Sequence, residues 1–242
     1  MAGQREGRPP AAKRPLDIVL SSLGLFISVP FCGLIALAVK LDDGGSVLYS
    51  QERIGREGRP FRSWKFRTMV VDADARFGRL QAKERDPRIT RVGRILRAMA
   101  LDELPQLWNI LKGDMSFAGP RALLPAEIEV NGNGELIPLE KVPGYQARHQ
   151  VTPGLTGLAQ VYAPRDLPRR HKFKYDLLYI RRQSFGLDLK LIALSVWISV
   201  RGKWEYRGHK LRNAYSPSVA DTIWKPKEAK QRVSKPLANR RD

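Results

Sequence analysis

Two adjacent carboxylates, Asp102 and Glu103, stand near the start of the segment LDELPQLWNILKG, in a chain with 43 Lys and Arg residues against 24 Asp and Glu residues. Asp102 suits the N-cap of a helix, where its side chain would accept a backbone N–H. Pro105 would then lie in the first helical turn and Gly113 would end the helix. Capping explains one carboxylate but gives no reason for two.

The pair can also do chemistry on a phosphate. Two oxygen donors suit Mg²⁺, which takes few protein ligands and fills its remaining positions with substrate oxygens and water. Alternatively, one carboxylate binds the metal and the other attacks phosphorus, because an aspartate in a cationic setting stays ionised and can form an acyl phosphate. Spacing alone leaves these options open, since Asp-Glu dipeptides are common.

Several cations are candidates for binding the phosphate groups of a substrate. Lys65 and Arg67 alternate in a predicted strand, so we expect both to point to one side. Arg97 is the arginine nearest to the carboxylates in a segment where arginines recur every third position. The turn Gly119-Pro120-Arg121 presents a guanidinium, whose two parallel N–H groups match a phosphate. Each of these residues also fits the simpler interpretation of a surface cation.

A long apolar segment would bring this chemistry to a membrane. The 22 residues from Ile18 to Val39 carry no charge. As a straight helix they would measure roughly 33 Å, about the thickness of the hydrocarbon core. Basic residues flank both ends, whereas cations normally mark one side of a membrane. Pro30 removes a backbone hydrogen bond and favours a bend, which would return both ends to the same face.

The residues alone support a re-entrant helix and a spanning helix about equally. Ser28 would help to satisfy the carbonyl groups that the proline frees. Lys13 and Arg14 precede the apolar segment, and we assign them, with Ser28 and Pro30, to the membrane anchor. A secretory signal peptide is a weaker alternative, because the apolar stretch is longer than a usual signal core and no disulfide pattern follows.

The rest of the sequence predicts a mainly helical α+β fold with a few short strands. The segments SVLYSQERIG and PFRSWKFRTM predict a β-hairpin. Residues 70–84 and 88–100 predict helices, and residues 187–200 form an apolar segment too short to span a bilayer. We divide the chain into a basic tail (1–14), a membrane helix (15–41), a catalytic domain (42–203) and a basic extension expected to be flexible (204–242).

Composition excludes several classes of protein. Cys32 is the only cysteine, so there is no intramolecular disulfide, and the three histidines are scattered without metal-ligand spacing. The sequence contains no glycine-rich phosphate loop of the P-loop or dinucleotide type. A net charge of +19 indicates an anionic partner, which the charge alone does not identify.

The quoted residues resemble a known family, the bacterial sugar transferases, which are monotopic polyprenyl-phosphate phosphoglycosyl transferases. The similarity covers roughly residues 13–203. It lies in five segments in the family's order: KRPLDIVLSS (13–22), VLYSQERIGREGRPFRSWKFRTM (47–69), DPRITRVGRILR (86–97), LDELPQLWNILKGDMSFAGPRA (101–122) and TPGLTGLAQV (152–161).

The resemblance implies a reaction and a place. Members transfer a sugar-1-phosphate from a nucleotide diphosphate sugar to a polyprenyl phosphate, release nucleoside monophosphate and require Mg²⁺. A UDP-sugar and undecaprenyl phosphate are the substrates we expect, in the first membrane step of exopolysaccharide, O-antigen or glycoconjugate synthesis. A re-entrant helix and interfacial amphipathic helices would hold a compact catalytic domain on the cytoplasmic face of the bacterial inner membrane, against anionic lipids. Nucleic acid is not an expected partner, and a homodimer is one option for assembly.

The resemblance also implies roles for residues. Asp102 would attack the sugar-bearing phosphorus and hold the covalent phosphosugar, while Glu103 would help to bind the metal. Pro120 and Arg121 match a Pro-Arg-Pro motif whose last proline is Ala122 here, and Arg121 would bind a phosphate. Asp188 matches an acidic position of the family whose role is open.

Three alternatives remain on the sequence alone. A membrane-attached transferase or hydrolase would use the carboxylates only for metal binding, without a covalent intermediate. A membrane-tethered nucleic-acid-binding protein would be indifferent to Asp102→Asn and would bind DNA with a steep salt dependence. A structural membrane scaffold would tolerate the loss of Glu103.

Overall fold

The computed structural model describes residues 9–73, 86–130, 135–164, 167–202 and 204. Most of the basic N-terminal tail, the greater part of the helix predicted over residues 70–84, and all of the basic extension except residue 204 lie outside these ranges. Helices dominate the described residues, with a few short strands among them, so the predicted fold class is confirmed.

The apolar segment forms a single long helix, α1 (Lys13–Asp43). It begins and ends two residues beyond the predicted range, and its backbone stays helical through Pro30. Gly44 ends it with φ of 75°, a left-handed conformation that favours glycine. Ser28 is buried, and its hydroxyl donates to the carbonyl of Leu25. The carbonyl that Pro30 leaves without a backbone donor is that of Phe26, so this hydrogen bond is not the one that the sequence predicts.

One face of α1 packs on the rest of the protein along its whole length. Its buried residues recur every four or seven positions, as one helix face requires: Lys13, Asp17, Ser21, Ser28, Ile35 and Val39. The opposite face is apolar and exposed, and includes Leu23, Phe26, Val29 and Leu34. By length and composition, α1 is the one described helix that could cross a membrane.

Both ends of α1 contact the same domain. Near the start, Asp17 accepts hydrogen bonds from the Ser116 hydroxyl and the Phe117 amide. Near the end, Asp42 accepts a hydrogen bond from the Val92 amide, and Asp43 forms an ion pair with Arg67.

Short strands form three two-stranded sheets. The predicted hairpin is confirmed, since β1 (Leu48–Ile54) and β2 (Pro60–Phe66) pair in antiparallel fashion. Strands β3 (Ser116–Ala118) and β6 (Gly154–Thr156) are parallel, and β4 (Ile128–Val130) pairs with β5 (Leu136–Pro138) in antiparallel fashion. Gly119 and Gly154 sit so close that a Cβ on either would clash with the other segment's backbone.

The described residues form seven α-helices. The helices after α1 are α2 (Arg91–Met99), α3 (Gln106–Lys112), α4 (Tyr145–Arg148), α5 (Leu158–Tyr162), α6 (Arg169–Arg182) and α7 (Phe185–Val200). The main hydrophobic core joins α5, α6 and α7 through Leu158, Tyr179 and Leu191. The helix predicted over residues 88–100 is α2, which begins only at Arg91. The Thr90 side chain caps its start by accepting a hydrogen bond from the Gly93 amide.

The predicted apolar segment 187–200 is α7, whose N-cap Ser184 accepts the Leu187 amide. Its buried side includes Leu191 and Ile198, while Val196, Trp197 and Val200 are exposed. A helix with apolar residues on both sides, one of them unburied, has the character of an interfacial element.

Candidate active site

The carboxylate pair lies in a 3-10 turn between two helices. Ala100 ends α2 with φ of 56° and ψ of 24°, and the turn Leu101–Glu103 follows at once. This reversal aims the turn back across β2. Asp102 does not cap α3 as expected, because the helix begins at Gln106 after Pro105 with no side-chain cap hydrogen bond. Gly113 ends α3 as predicted.

Lys65 joins the two carboxylates. Its Nζ forms a close hydrogen-bonded ion pair with Oε1 of Glu103 and lies 3.9 Å from Oδ2 of Asp102. Lys65 extends from β2, whose pairing with β1 holds it beneath the turn. The two acids are therefore unequal: Glu103 is engaged by the ammonium group, and Asp102 is near it without a hydrogen bond to it.

The two acids also ionise differently. Burial raises the pKa of Asp102 to about 6, against the opposing effect of Lys65. Burial also opposes ionisation of Glu103, but the charges of Lys65 and Arg121 outweigh it, and the pKa of Glu103 falls below its usual range. The expectation that cations keep Asp102 fully ionised is thus only partly right, because burial has the larger effect on this residue.

Two of the predicted phosphate-binding arginines lie at the pair. Arg97 and Arg121 are both close enough to Asp102 for their charges to favour its ionised form. The charge of Arg121 also acts on Glu103, and its guanidinium makes no hydrogen bond or ion pair with the described residues.

Two buried contacts hold the turn that carries Arg121. Lys13 Nζ donates to the carbonyl of Ala118 at 2.8 Å, just before Gly119-Pro120-Arg121. Arg148 Nη2 donates to the carbonyl of Arg121 at 2.6 Å while pairing with Asp176 at 2.9 Å. The main chain around Arg121 is therefore fixed from both sides by buried cations.

The remaining predicted residues lie elsewhere. Arg67 comes just after β2, and its guanidinium pairs with both carboxylate oxygens of Asp43, so it is engaged by protein at the end of α1. A role of Arg67 in binding substrate phosphate stays a prediction. Asp188 pairs with Lys13 at 2.7 Å and accepts a hydrogen bond from the Tyr179 hydroxyl, so its contacts are with the start of α1.

The predicted anchor cations are likewise engaged by protein. Lys13 is buried in the pair with Asp188, and Arg14 donates to the carbonyls of Ile110 and Leu111 at the end of α3. Arg14 is thus placed where a cation is favoured by the helix dipole. A role of either residue at lipid headgroups stays a prediction.

Sequence reasoning missed a second group of charges beside the pair. Arg53, Arg121 and Arg169 lie close enough for their charges to repel one another, and Glu127 pairs with Arg169 at 2.5 Å. Burial, with a smaller contribution from the charges of Arg121 and Arg169, lowers the pKa of Arg53 to about 10. The only signal in the sequence was the position of Arg53 beside the hairpin turn, which does not reveal its contact with Ala122, 69 residues away.

The carboxylate pair offers oxygen ligands for Mg²⁺. No group of three or more His, Cys, Asp or Glu side chains is arranged for a metal among the described residues. Asp102 and Glu103 supply two carboxylates, the number that Mg²⁺ commonly takes from protein when substrate phosphates and water fill its other positions. The site therefore fits Mg²⁺ in company with a bound phosphate.

Comparison with known proteins places these residues in a family. The model of the family described as "Bacterial sugar transferase" matches residues 9–202. The chain is 42% identical over 200 residues to a protein of Klebsiella pneumoniae named "UDP-glucose:undecaprenyl-phosphate glucose-1-phosphate transferase", which covers 80% of this chain and 41% of that protein. A Caulobacter vibrioides protein of the same name is 42% identical over 189 residues, 76% of this chain and 68% of its own length.

Another relative is matched over most of its own length. The "Exopolysaccharide production protein PSS" of Rhizobium leguminosarum is 41% identical over 185 residues, which cover 74% of this chain and 90% of that protein. By contrast, the alignment spans only about two fifths of the length of the Klebsiella relative.

Proposed function

The chain belongs to the bacterial sugar transferase family, and from this premise we propose that it transfers a sugar-1-phosphate from a UDP-sugar to undecaprenyl phosphate. The names of the relatives support the substrates, and they make UDP-glucose the first donor to test. The observation that carries the proposal is the unequal carboxylate pair, with Lys65 and Arg121 against it.

In the first half-reaction, an Asp102 carboxylate oxygen attacks the sugar-bearing phosphorus. The bond from that phosphorus to the bridging oxygen breaks, its electron pair stays on that oxygen, and UMP leaves. Asp102 suits the role of nucleophile for two reasons. It has no hydrogen bond from Lys65, and its raised pKa makes its carboxylate more basic than that of Glu103. Above a pH of about 6 it is mainly ionised and ready to attack.

In the second half-reaction, an oxygen of undecaprenyl phosphate attacks the same phosphorus. The bond to the Asp102 oxygen breaks, its electron pair returns to the carboxylate, and the lipid diphosphate sugar leaves. In both steps, anionic groups must approach an anionic nucleophile. The positive charges of Lys65 and Arg121 offset the resulting repulsion. Mg²⁺, bound by Glu103 together with substrate oxygens, would neutralise part of the diphosphate charge.

The exposed apolar surface suits a membrane enzyme that acts on a lipid phosphate. Phe26 and Leu34 on α1 are 79% and 67% exposed, and Trp108 on α3 and Trp197 on α7 are 52% and 54% exposed. Several large apolar and tryptophan side chains exposed on one protein favour an interface with lipid. Contact of both ends of α1 with one domain supports a re-entrant helix over a spanning one.

The proposal extends to location and pathway. We place the chain at the bacterial inner membrane with its catalytic domain on the cytoplasmic face, where nucleotide sugars are available. The name of the Rhizobium relative favours exopolysaccharide production as the pathway that uses the product.

The test measures UMP released by purified full-length protein from UDP-glucose and Mg²⁺ without lipid phosphate. The proposal predicts a burst of one UMP per enzyme, followed by turnover when undecaprenyl phosphate is added. Asp102→Asn should abolish both phases. Asp114→Asn, the same change at a carboxylate that pairs with Lys112, should leave both unchanged.

Other mechanisms give different traces. A transferase without a covalent intermediate would release no UMP until lipid is added, and a hydrolase would release it continuously without lipid. Either trace would refute the proposal.

A further inference from the structure

Beside the carboxylate pair, three guanidinium groups surround one short stretch of chain. Arg121 itself lies at the start of this stretch, Arg53 Nη1 donates to the carbonyl of Ala122 at 3.2 Å, and Arg169 pairs with Glu127. Glu127 in turn accepts the Leu124 amide at 3.1 Å, which fixes its carboxylate. The cluster, here called the arginine cluster, consists of Arg53, Arg121, Arg169 and Glu127.

The three guanidinium groups and the carboxylate of Glu127 give the arginine cluster a net charge of +2. Glu129, whose charge also acts on Arg169, is itself paired with Arg170. All three arginines are only partly buried, so a ligand can reach them. Arg169 is the first residue of α6, where the helix dipole favours an anion and disfavours a cation. A phosphomonoester carries about −1.5 to −2 at pH 7, which matches this charge.

The arginine cluster is continuous with the carboxylate pair. Arg53 lies on β1, which pairs with the strand of Lys65, the partner of Glu103, and its guanidinium donates to the carbonyl of Ala122, the residue after Arg121. In agreement with this placement, the charges of Arg53 and Arg121 both favour ionisation of Glu103. A phosphate bound by the three arginines would therefore lie next to a phosphorus that Asp102 attacks.

The stereochemistry of phosphoryl transfer limits what this phosphate can be. Attacking and leaving oxygens lie roughly in line on opposite sides of the phosphorus. Asp102 occupies one side in both half-reactions, as nucleophile and then as leaving group. The opposite side must therefore hold the oxygen of departing UMP in the first step and the oxygen of the lipid phosphate in the second.

We propose that the arginine cluster is one phosphomonoester subsite that UMP and the lipid phosphate occupy in turn. The inference rests on the proposed covalent mechanism and adds Arg53 and Arg169 as residues that touch both substrates. UMP must leave before the lipid phosphate can enter, so the two ligands exclude each other.

Equilibrium binding to the Asp102→Asn protein tests this inference, because that variant cannot form the phosphosugar. Radiolabelled UMP is bound to full-length protein in detergent micelles and titrated with a short-chain polyprenyl phosphate. We expect the lipid to displace all of the UMP, and Arg53→Gln and Arg169→Gln each to weaken both ligands by about tenfold. Arg182→Gln is the matched control, since it lies on the same helix, exposed and roughly 20 Å from Arg169.

Two results would overturn the inference. One is simultaneous binding of UMP and the lipid phosphate, and the other is loss of affinity for only one of them in both arginine variants. Because Arg169→Gln leaves Glu127 unpaired, the double variant Glu127→Gln/Arg169→Gln is measured alongside it and must show the same loss. A UMP burst from the wild-type protein tests the proposed function separately, so either idea can fail without the other.

Discussion

At the scale of single residues, the site separates two adjacent acids by their surroundings. Asp102 is buried with a raised pKa and no hydrogen bond from Lys65, whereas Glu103 is paired with Lys65 and has a lowered pKa. Neighbours in sequence thus have different surroundings, which is the arrangement that the proposed nucleophile and the proposed metal ligand would need. The dipeptide in the sequence indicated the chemistry, but the difference between its two members depends on burial and on a strand 38 residues away.

The ionised carboxylate of Asp102 should lower the free energy of unfolding. Its pKa is about 6 in the folded protein and near 3.8 unfolded, so folding opposes ionisation and the penalty is fully present above pH 6. We expect Asp102→Asn to raise the free energy of unfolding at pH 8, by on the order of 1–3 kcal/mol. Urea unfolding from pH 3.5 to 8 measures this difference.

The same series contains its own control. The gain from Asp102→Asn should shrink as the pH falls through 6 and vanish below about 4, where both folded and unfolded wild-type protein carry a neutral Asp102. A stability loss at pH 8, or a gain independent of pH, would contradict the burial of this carboxylate.

At the scale of elements, a strained residue places the carboxylate pair. Ala100 adopts the left-handed conformation that ends α2, and the 3-10 turn with both acids begins at the next residue. For a residue with a Cβ this conformation costs roughly 1 kcal/mol. We expect Ala100→Gly to raise the midpoint of thermal unfolding.

The matched control is the same substitution two residues earlier. Ala98 lies within α2, where glycine loses helix propensity, so Ala98→Gly should lower the free energy of unfolding by about 1 kcal/mol. Equal destabilisation by both variants would show that Ala100 carries no strain.

A buried ion pair between Lys13 and Asp188 joins α1 to α7. Lys13 and Asp188 are each almost fully buried, and Lys13 also bonds to the carbonyl of Ala118. Lys13→Met should lower the free energy of unfolding by about 3–5 kcal/mol, because it leaves Asp188 as a buried unpaired charge. Urea unfolding of the single variant and of the double variant Lys13→Met/Asp188→Leu measures the effect.

The double variant distinguishes the pair from general damage. Replacing both charges with apolar groups should recover most of the loss, since no unpaired charge remains. A double variant as unstable as the single one would contradict this account.

Local elements were largely predictable because their signals are local. The hairpin, the end of α3 at Gly113 and the apolar helix follow from periodicity and turn residues. The N-cap assigned to Asp102 failed because the left-handed Ala100 shifts the turn, and alanine gives no sequence signal for that conformation. The partners of Arg67, Lys13 and Arg53 were not predictable from the sequence, because tertiary packing sets each of them.

At the scale of the whole molecule, a long apolar helix lies along a domain that holds charged chemistry. One face of α1 contacts the domain along its length and the other is exposed and apolar. In the proposed membrane location, the free face would lie in lipid while the site would stay beside the bilayer surface. This explains how a fixed Asp102 could meet the phosphate of a membrane lipid.

The path of α1 through the membrane can be tested by labelling. In a Cys32→Ser background, single cysteines at Ala11 and Ser46 flank the helix, and both positions are exposed. A re-entrant α1 predicts that an impermeant maleimide labels both from the cytoplasmic side of inverted inner-membrane vesicles. Labelling of the two cysteines from opposite sides would establish a spanning helix instead.

The most direct test of the central claim is the mass of the intact protein after incubation with UDP-glucose and Mg²⁺ in the absence of lipid phosphate. The account predicts a mass gain of one glucose phosphate, located on the peptide that contains Asp102, and its loss when undecaprenyl phosphate is added. Unmodified protein accompanied by released UMP, or a modification on any other residue, would contradict it.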